Sequence, residues 1–123
     1  MSISWKMKNT YILKKNYEFK RLFNNGKFYY GKCVNFYVLF TSKSYKKFGI
    51  ALTKKAGNAV KRNHIKRLIR ENYKICEENI KDGIFLLVAL NSKRNVDDIT
   101  YYDIKKDFEE FAKKSDIWKE KDD

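Results

Sequence analysis

The sequence predicts a single α+β domain, one sheet with helices against it, in the order helix, three strands, helix, strand, helix. Three observations carry this. Residues 84–90 (Ile-Phe-Leu-Leu-Val-Ala-Leu) form a continuous apolar run of strand length, suited to a sheet interior. Residues 34–41 alternate, with Val34, Phe36, Val38 and Phe40 on one side as a core face, and Asn35, Tyr37, Leu39 and Thr41 on the other. Two longer segments space their apolar residues at helical period, Ile65, Leu68, Ile69 and Cys76 in one and Tyr101, Ile104, Phe108 and Phe111 in the other. A chain of 123 residues, 43% hydrophobic and 16% aromatic, has the length of one domain and the means to build its core.

The elements follow in order. Residues 1–15 are polar and basic and read as an arm, flexible over 1–10. Asn16 is placed to cap a short helix over 17–23, with Gly26 as its stop. Residues 29–41 are rich in aromatic and branched side chains, and Gly31 divides them into a short strand and a longer one. A turn at 42–46 leads to a strand over 48–53. In that strand Phe48, Ile50 and Leu52 alternate with Gly49, Ala51 and Thr53, and the small residues leave room on one face for a ligand backbone. Asn58 caps a long helix from 59 to about 80, with Gly83 beyond its end. After the strand at 84–90 and a loop at 91–99, Thr100 and Asp103 form a capping box for a helix over 101–114. Residues 115–123 read as a flexible tail.

Charge is unevenly distributed. Residues 1–75 carry 19 Lys/Arg against 2 Asp/Glu, a net of +17, whereas residues 76–123 carry 9 against 13. A concentrated positive field attracts a polyanion, and nucleic acid is the commonest one. An anionic membrane surface would call for an amphipathic helix with a lipid-seeking face, and no stretch approaches the roughly 20 apolar residues of a span. Met1, Ser2, Ile3, Ser4, Trp5 and Lys6 contain no apolar run of signal-peptide type, so a cytoplasmic location is expected, with no membrane partner. Cys33 and Cys76 have neither a second Cys nor a His at ligand spacing, and read as small buried apolar residues of a reducing compartment.

The most informative stretch is residues 54–71. At 100° per residue, Arg62, Lys66, Arg70 and Lys74 follow one another at i+4 steps, opposite the apolar stripe, with Asn63 and Arg67 flanking the row. A rigid ridge of cations suits a folded RNA backbone. Arg offers planar forks to phosphate oxygens, Lys offers point charges, and Asn63 adds a donor and an acceptor for a base edge or a 2′-hydroxyl. Glu71 is the only acid in the run, where an ordinary solvated face mixes signs.

Thr53-Lys54-Lys55, Gly57-Asn58-Ala59-Val60, Arg62-Asn63-His64 and Ile65-Lys66-Arg67 with Arg70 resemble the signature of the bacterial ribonuclease P protein component. The similarity extends upstream through Leu13-Lys14-Lys15-Asn16, Phe19, Phe23 and Gly26, and covers about residues 11–118. It departs at His64, where the signature has Arg, which removes one fixed cation.

The resemblance implies a two-layer α/β sandwich whose signature helix lies in a left-handed βαβ crossover. It implies that catalysis belongs to a partner RNA with Mg2+, and that the polypeptide itself holds no catalytic residue. Lys54, Lys55, Asn58, Arg62, Asn63, Lys66, Arg67 and Arg70 are then the contacts to the catalytic RNA. A separate cleft of sheet and first helix, walled by Phe19, Phe23 and Tyr37, would receive the single-stranded 5′ leader of precursor tRNA. Exposed rings near cations are how single strands are held. The competing reading is a ribosomal or other structured-RNA-binding protein. A protein-only nuclease would need a carboxylate cluster or a His/acid pair, and the basic half holds only Glu18 and Glu71.

Overall fold

The computed structural model describes residues 9–53, 56–91 and 96–119. The elements are β1 (Thr10–Ile12), α1 (Asn16–Asn25), β2 (Lys27–Tyr29), β3 (Val34–Phe40), β4 (Lys46–Ala51), α2 (Ala59–Cys76), β5 (Ile84–Leu90) and α3 (Tyr101–Lys114), with 3-10 turns at Glu77–Asn79 and Val96–Asp98. They make the expected α+β domain. One five-stranded sheet runs in the order β1-β4-β5-β3-β2. The apolar β5 is its central strand, parallel to β4 and antiparallel to β3, so α2 spans a parallel crossover between neighbouring strands.

The main core lies between one sheet face and the pair α2 and α3. Val34, Phe36, Val38, Phe48, Ile84, Leu86 and Val88 meet Ile65, Ile69 and Tyr73 from α2 and Ile104, Phe108 and Phe111 from α3. Phe36 stacks on Phe111 at 4.2 Å, and Phe48 on Tyr73 at 4.0 Å. On the opposite face α1 covers part of the sheet, where Leu22 and Leu13 pack with Phe85 and Leu87. The Thr100/Asp103 capping box forms as expected, with reciprocal bonds of 3.3 and 2.9 Å.

Several expectations are corrected. The basic arm contains a strand: β1 pairs in parallel with Lys46–Phe48, and Leu13 N–H continues the pairing to the Phe48 carbonyl at 2.9 Å. Asn9 anchors it by donating to the Ser44 carbonyl (2.8 Å) and to Asp82 (3.0 Å). The tail is packed over 115–119, because Ile117 is buried and Lys81 N–H donates to its carbonyl at 2.8 Å. Lys119 N–H in turn reaches Asn79 at 2.7 Å. Residues 1–8 and 120–123 lie outside the described residues. The long helix ends at Cys76 rather than near 80, and continues as the 3-10 turn. Asn16 is the first residue of α1 instead of its cap, and Glu18 serves the capping role by accepting from Lys15 N–H at 3.1 Å. Phe40, placed on the core face by alternation, is 50% exposed at the end of its strand.

Candidate nucleic-acid interface

Helix α2 is set by its N-terminus and its apolar stripe. Gly57 takes φ +102, a turn that favours glycine, and Asn58 then caps the helix by accepting from Lys61 N–H at 3.0 Å. Burial of Ile65, Ile69 and Tyr73 fixes the rotation of the helix on the sheet. That rotation decides where the cations stand. Arg62 and Lys66 are half-buried on the flank beside β4, with Arg70 exposed further along. By helical angle the solvent crest belongs to Val60, His64, Arg67, Glu71 and Ile75. Val60 and Ile75 are 77% and 69% exposed.

The expected uninterrupted cationic face is thus divided. Arg67 Nε pairs with Glu71 at 3.2 Å on the crest, an exposed pair of the kind worth a few tenths of a kcal/mol. Lys54 and Lys55 lie outside the described residues.

The flank opens onto a groove. Strand β1 covers β4 only over Lys46–Phe48, and among the described residues no strand pairs with the β4 edge from Gly49 to Ala51 on that side. A pocket of about 170 Å³ at this edge is lined by Ile12, Phe19, Ile50, Lys66 and Arg70, among others. A second pocket, about 280 Å³, shares Ile50 and Lys66 with it and continues to Ala51, Leu52, Arg62 and Asn63. The two make one groove along the open strand edge, with α2 cations on one wall and Phe19 at one end.

The aromatic residues expected in one cleft share the α1 face of the sheet, where Phe19 and Tyr37 both pack against the cluster of Leu13, Leu22, Phe85 and Leu87. Phe19 joins Lys66 and Arg70 in the first pocket. Phe23 and Tyr37 meet instead over β3, edge to face at 4.8 Å, and Phe28 of β2 completes the cluster at 5.1 Å from Tyr37. Phe23 and Phe28 are 43% and 49% exposed. Ala51 of β4 lines the second pocket. At Gly49 a Cβ would fall 2.6 Å from Leu13 Cδ1, so Leu13 fills that space.

Spacing assigns Phe28 to neither face, because it sits in a three-residue edge strand, too short for alternation to decide. The register supplies what the spacing lacked: Phe28 lies directly opposite Tyr37.

An ion pair links α1 to the sheet. Lys47 Nζ donates to the Glu18 carboxylate, which also accepts from the backbone N–H groups of Lys14 and Lys15. Burial pushes the Glu18 carboxyl up, but the Lys47 bond and the two backbone donors outweigh it and hold the group below its ordinary value. The bond to Glu18 correspondingly raises Lys47 against the opposing effect of burial. Burial pushes the Cys76 thiol up to about 12, so it is protonated and unreactive at neutral pH. Among the described residues no group of three or more His, Cys, Asp or Glu is placed to hold a metal ion, and no helix is long and apolar enough to cross a membrane.

A basic α+β domain with a cationic helix flank, an open strand edge and an exposed ring cluster is built as an RNA-binding protein. The Ribonuclease P family model matches residues 7–116. The ribonuclease P protein component of Natranaerobius thermophilus is 35% identical over 111 residues, spanning 90% of this chain and 95% of the relative. That of Fusobacterium nucleatum is 37% identical over 110 residues, spanning 85% and 96%. The RNase P protein of Staphylococcus aureus superposes with a TM-score of 0.77 at 30% identity, covering 89% of this chain and 98% of that one. The chain belongs to the ribonuclease P protein component family: it is the protein subunit of an endoribonuclease that pairs it with the ribonuclease P RNA, in the service of tRNA processing.

Proposed function

We propose that the groove along the β4 edge and the ring cluster over β3 divide the work of this subunit. Arg62, Lys66 and Arg70, with Asn58, Asn63, Arg67, Lys54 and Lys55, hold phosphates and sugars of the ribonuclease P RNA. Phe23 and Tyr37 hold the 5′ leader of precursor tRNA, and Phe19 stands where the two surfaces approach. The carrying observation is that Phe19 lines the same pocket as Lys66 and Arg70, while its neighbour one turn along α1, Phe23, touches Tyr37. A single short helix therefore links the two binding surfaces.

In this reading the RNA subunit, with its bound Mg2+, supplies the hydrolysis of the phosphodiester bond. The polypeptide neutralises and positions. Half-buried Arg62 and Lys66 are held by their helix at a fixed spacing, so little conformational freedom is lost when phosphates reach them. Rings beside the leader give sequence-tolerant stacking. The work is placed in the cytoplasm, where precursor tRNA is made in a bacterial cell.

The test compares holoenzymes carrying Arg62→Ala or Tyr37→Ala. Arg62→Ala should weaken protein–RNA assembly and lower the salt slope by about one unit per lost phosphate contact. Tyr37→Ala should leave assembly intact and weaken precursor tRNA binding alone. Wild-type assembly with Arg62→Ala, or equal losses for precursor and mature tRNA with Tyr37→Ala, contradicts the division.

A further inference from the structure

The geometry points to Phe28 as an additional leader-binding residue, a ring that takes a base of the leader beside the one held at Tyr37 and so lengthens the stretch of leader that is read. The inference rests on the assignment of the leader to the Phe23–Tyr37 surface.

Register fixes where the ring stands. Phe28 is the cross-strand partner of Tyr37 on the outermost strand of the sheet, so both side chains stand on the α1 face. Their ring centroids are 5.1 Å apart at an interplanar angle of 60°, and Phe23 meets Tyr37 from α1 at 73°. None of these pairs is stacked face to face. Contact with Tyr37 therefore covers at most one of the two flat faces of Phe23 and of Phe28.

Exposure agrees, since about half of Phe28 remains in contact with solvent although Tyr37 and Phe23 lie beside it. Core packing does not explain it: Phe28 belongs to neither buried cluster, while the next residue, Tyr29, turns to the other face and packs on Phe111 at 5.2 Å. The occupant follows from charge and chemistry. Lys20 and Arg21 are exposed on α1, the helix that carries Phe23, whereas Lys27 turns to the other face and lies over the Tyr29 ring. An unstacked aromatic face among cations suits a nucleobase with its phosphate. Because β2 is the sheet margin, a strand crossing Tyr37 toward Phe28 leaves the protein there, so Phe28 is the outer end of the leader track.

The test uses holoenzyme reconstituted with ribonuclease P RNA and precursor tRNAs whose leaders grow from one to ten nucleotides. Phe28→Leu keeps an apolar cross-strand partner for Tyr37 and removes the π face, and Phe28→Tyr restores it. For long leaders, Phe28→Leu is expected to weaken binding by about 5-fold or more, with Phe28→Tyr at wild-type affinity. Short-leader precursor and mature tRNA should be unaffected, and the melting temperature unchanged. Tyr37→Ala, run in parallel, should show its loss at shorter leaders than Phe28→Leu does. A wild-type affinity for Phe28→Leu across all leaders, alongside a loss for Tyr37→Ala, overturns the role of Phe28 and leaves the cleft standing. No effect from either variant overturns both. A lowered melt with equal losses for precursor and mature tRNA shows Phe28 to be a packing residue and overturns the inference.

Discussion

Asp107→Ala should be among the most destabilising single substitutions in the chain. Asp107 is buried on α3, and its carboxylate accepts from the backbone N–H groups of Lys32 (3.0 Å), Cys33 (2.7 Å) and Val34 (3.0 Å). Lys32 and Cys33 lie in the loop between β2 and β3 and Val34 opens β3, so one side chain ties the last helix to the margin of the sheet. In the Ala variant the Lys32 N–H, on an exposed residue, can turn to water. Those of Cys33 and Val34 cannot, because both residues are buried. Each buried donor left unsatisfied costs about 1–3 kcal/mol, so the two together cost about 2–6 kcal/mol. Asp107→Asn retains one oxygen but turns an amide donor toward at least one N–H, and should cost less than Ala. Urea denaturation read by circular dichroism gives the difference as a shifted midpoint at constant slope. A loss below about 1 kcal/mol for Asp107→Ala would mean that the two buried N–H groups find other acceptors and that Asp107 does not hold the loop.

Two further outcomes follow from particular contacts. The Glu18 carboxyl is held below its ordinary value of 4.5, so its stabilisation is present above that pH and is lost as pH falls through the folded value. Lys47 is raised above 10.5, so its share is present below that pH and lost as pH rises through its folded value. Glu18→Gln should therefore cost about 1–2 kcal/mol at pH 7, and the difference from wild type should shrink toward zero in acid. A difference that persists unchanged at pH 3 would contradict the ionic origin. Ile117→Ala should lower stability by about 2–4 kcal/mol in thermal or urea melts, as for a buried core residue, whereas an unchanged melt would mean that the C-terminal segment does not pack.

Most of the architecture was legible in sequence for reasons the structure makes plain. The β5 run is apolar throughout because it is the central strand, buried on both faces for most of its length. The α3 stripe and its capping box are local patterns that packing did not override. What could not be read depends on partners distant in the chain. Strand β1 has three residues, Thr10, Tyr11 and Ile12, and is a strand because β4 lies beside it and because the Thr10 hydroxyl meets Tyr73 and Glu77. The space at Gly49 looked open until Leu13 was brought to it by that pairing.

The cationic row was visible as i+4 spacing, but which flank of α2 faces the β4 edge follows from the seating of Ile65 and Ile69. The Arg67–Glu71 pair, by contrast, was legible at i+4 from the outset. The seating of α1 depends on partners distant in the chain, with Glu18 held at Lys47 of β4 and Phe23 against Tyr37 of β3.

The most direct measurement is single-turnover cleavage of precursor tRNA by purified polypeptide, by ribonuclease P RNA, and by the two together, across a range of Mg2+. The expected result is no cleavage by the polypeptide alone, and cleavage by the combination at lower Mg2+ and tighter substrate binding than the RNA achieves by itself, with the gain confined to substrates that carry a leader. Cleavage by RNA-free polypeptide, or a combination indistinguishable from the RNA alone, would contradict the assignment of chemistry to the RNA and of leader binding to this subunit.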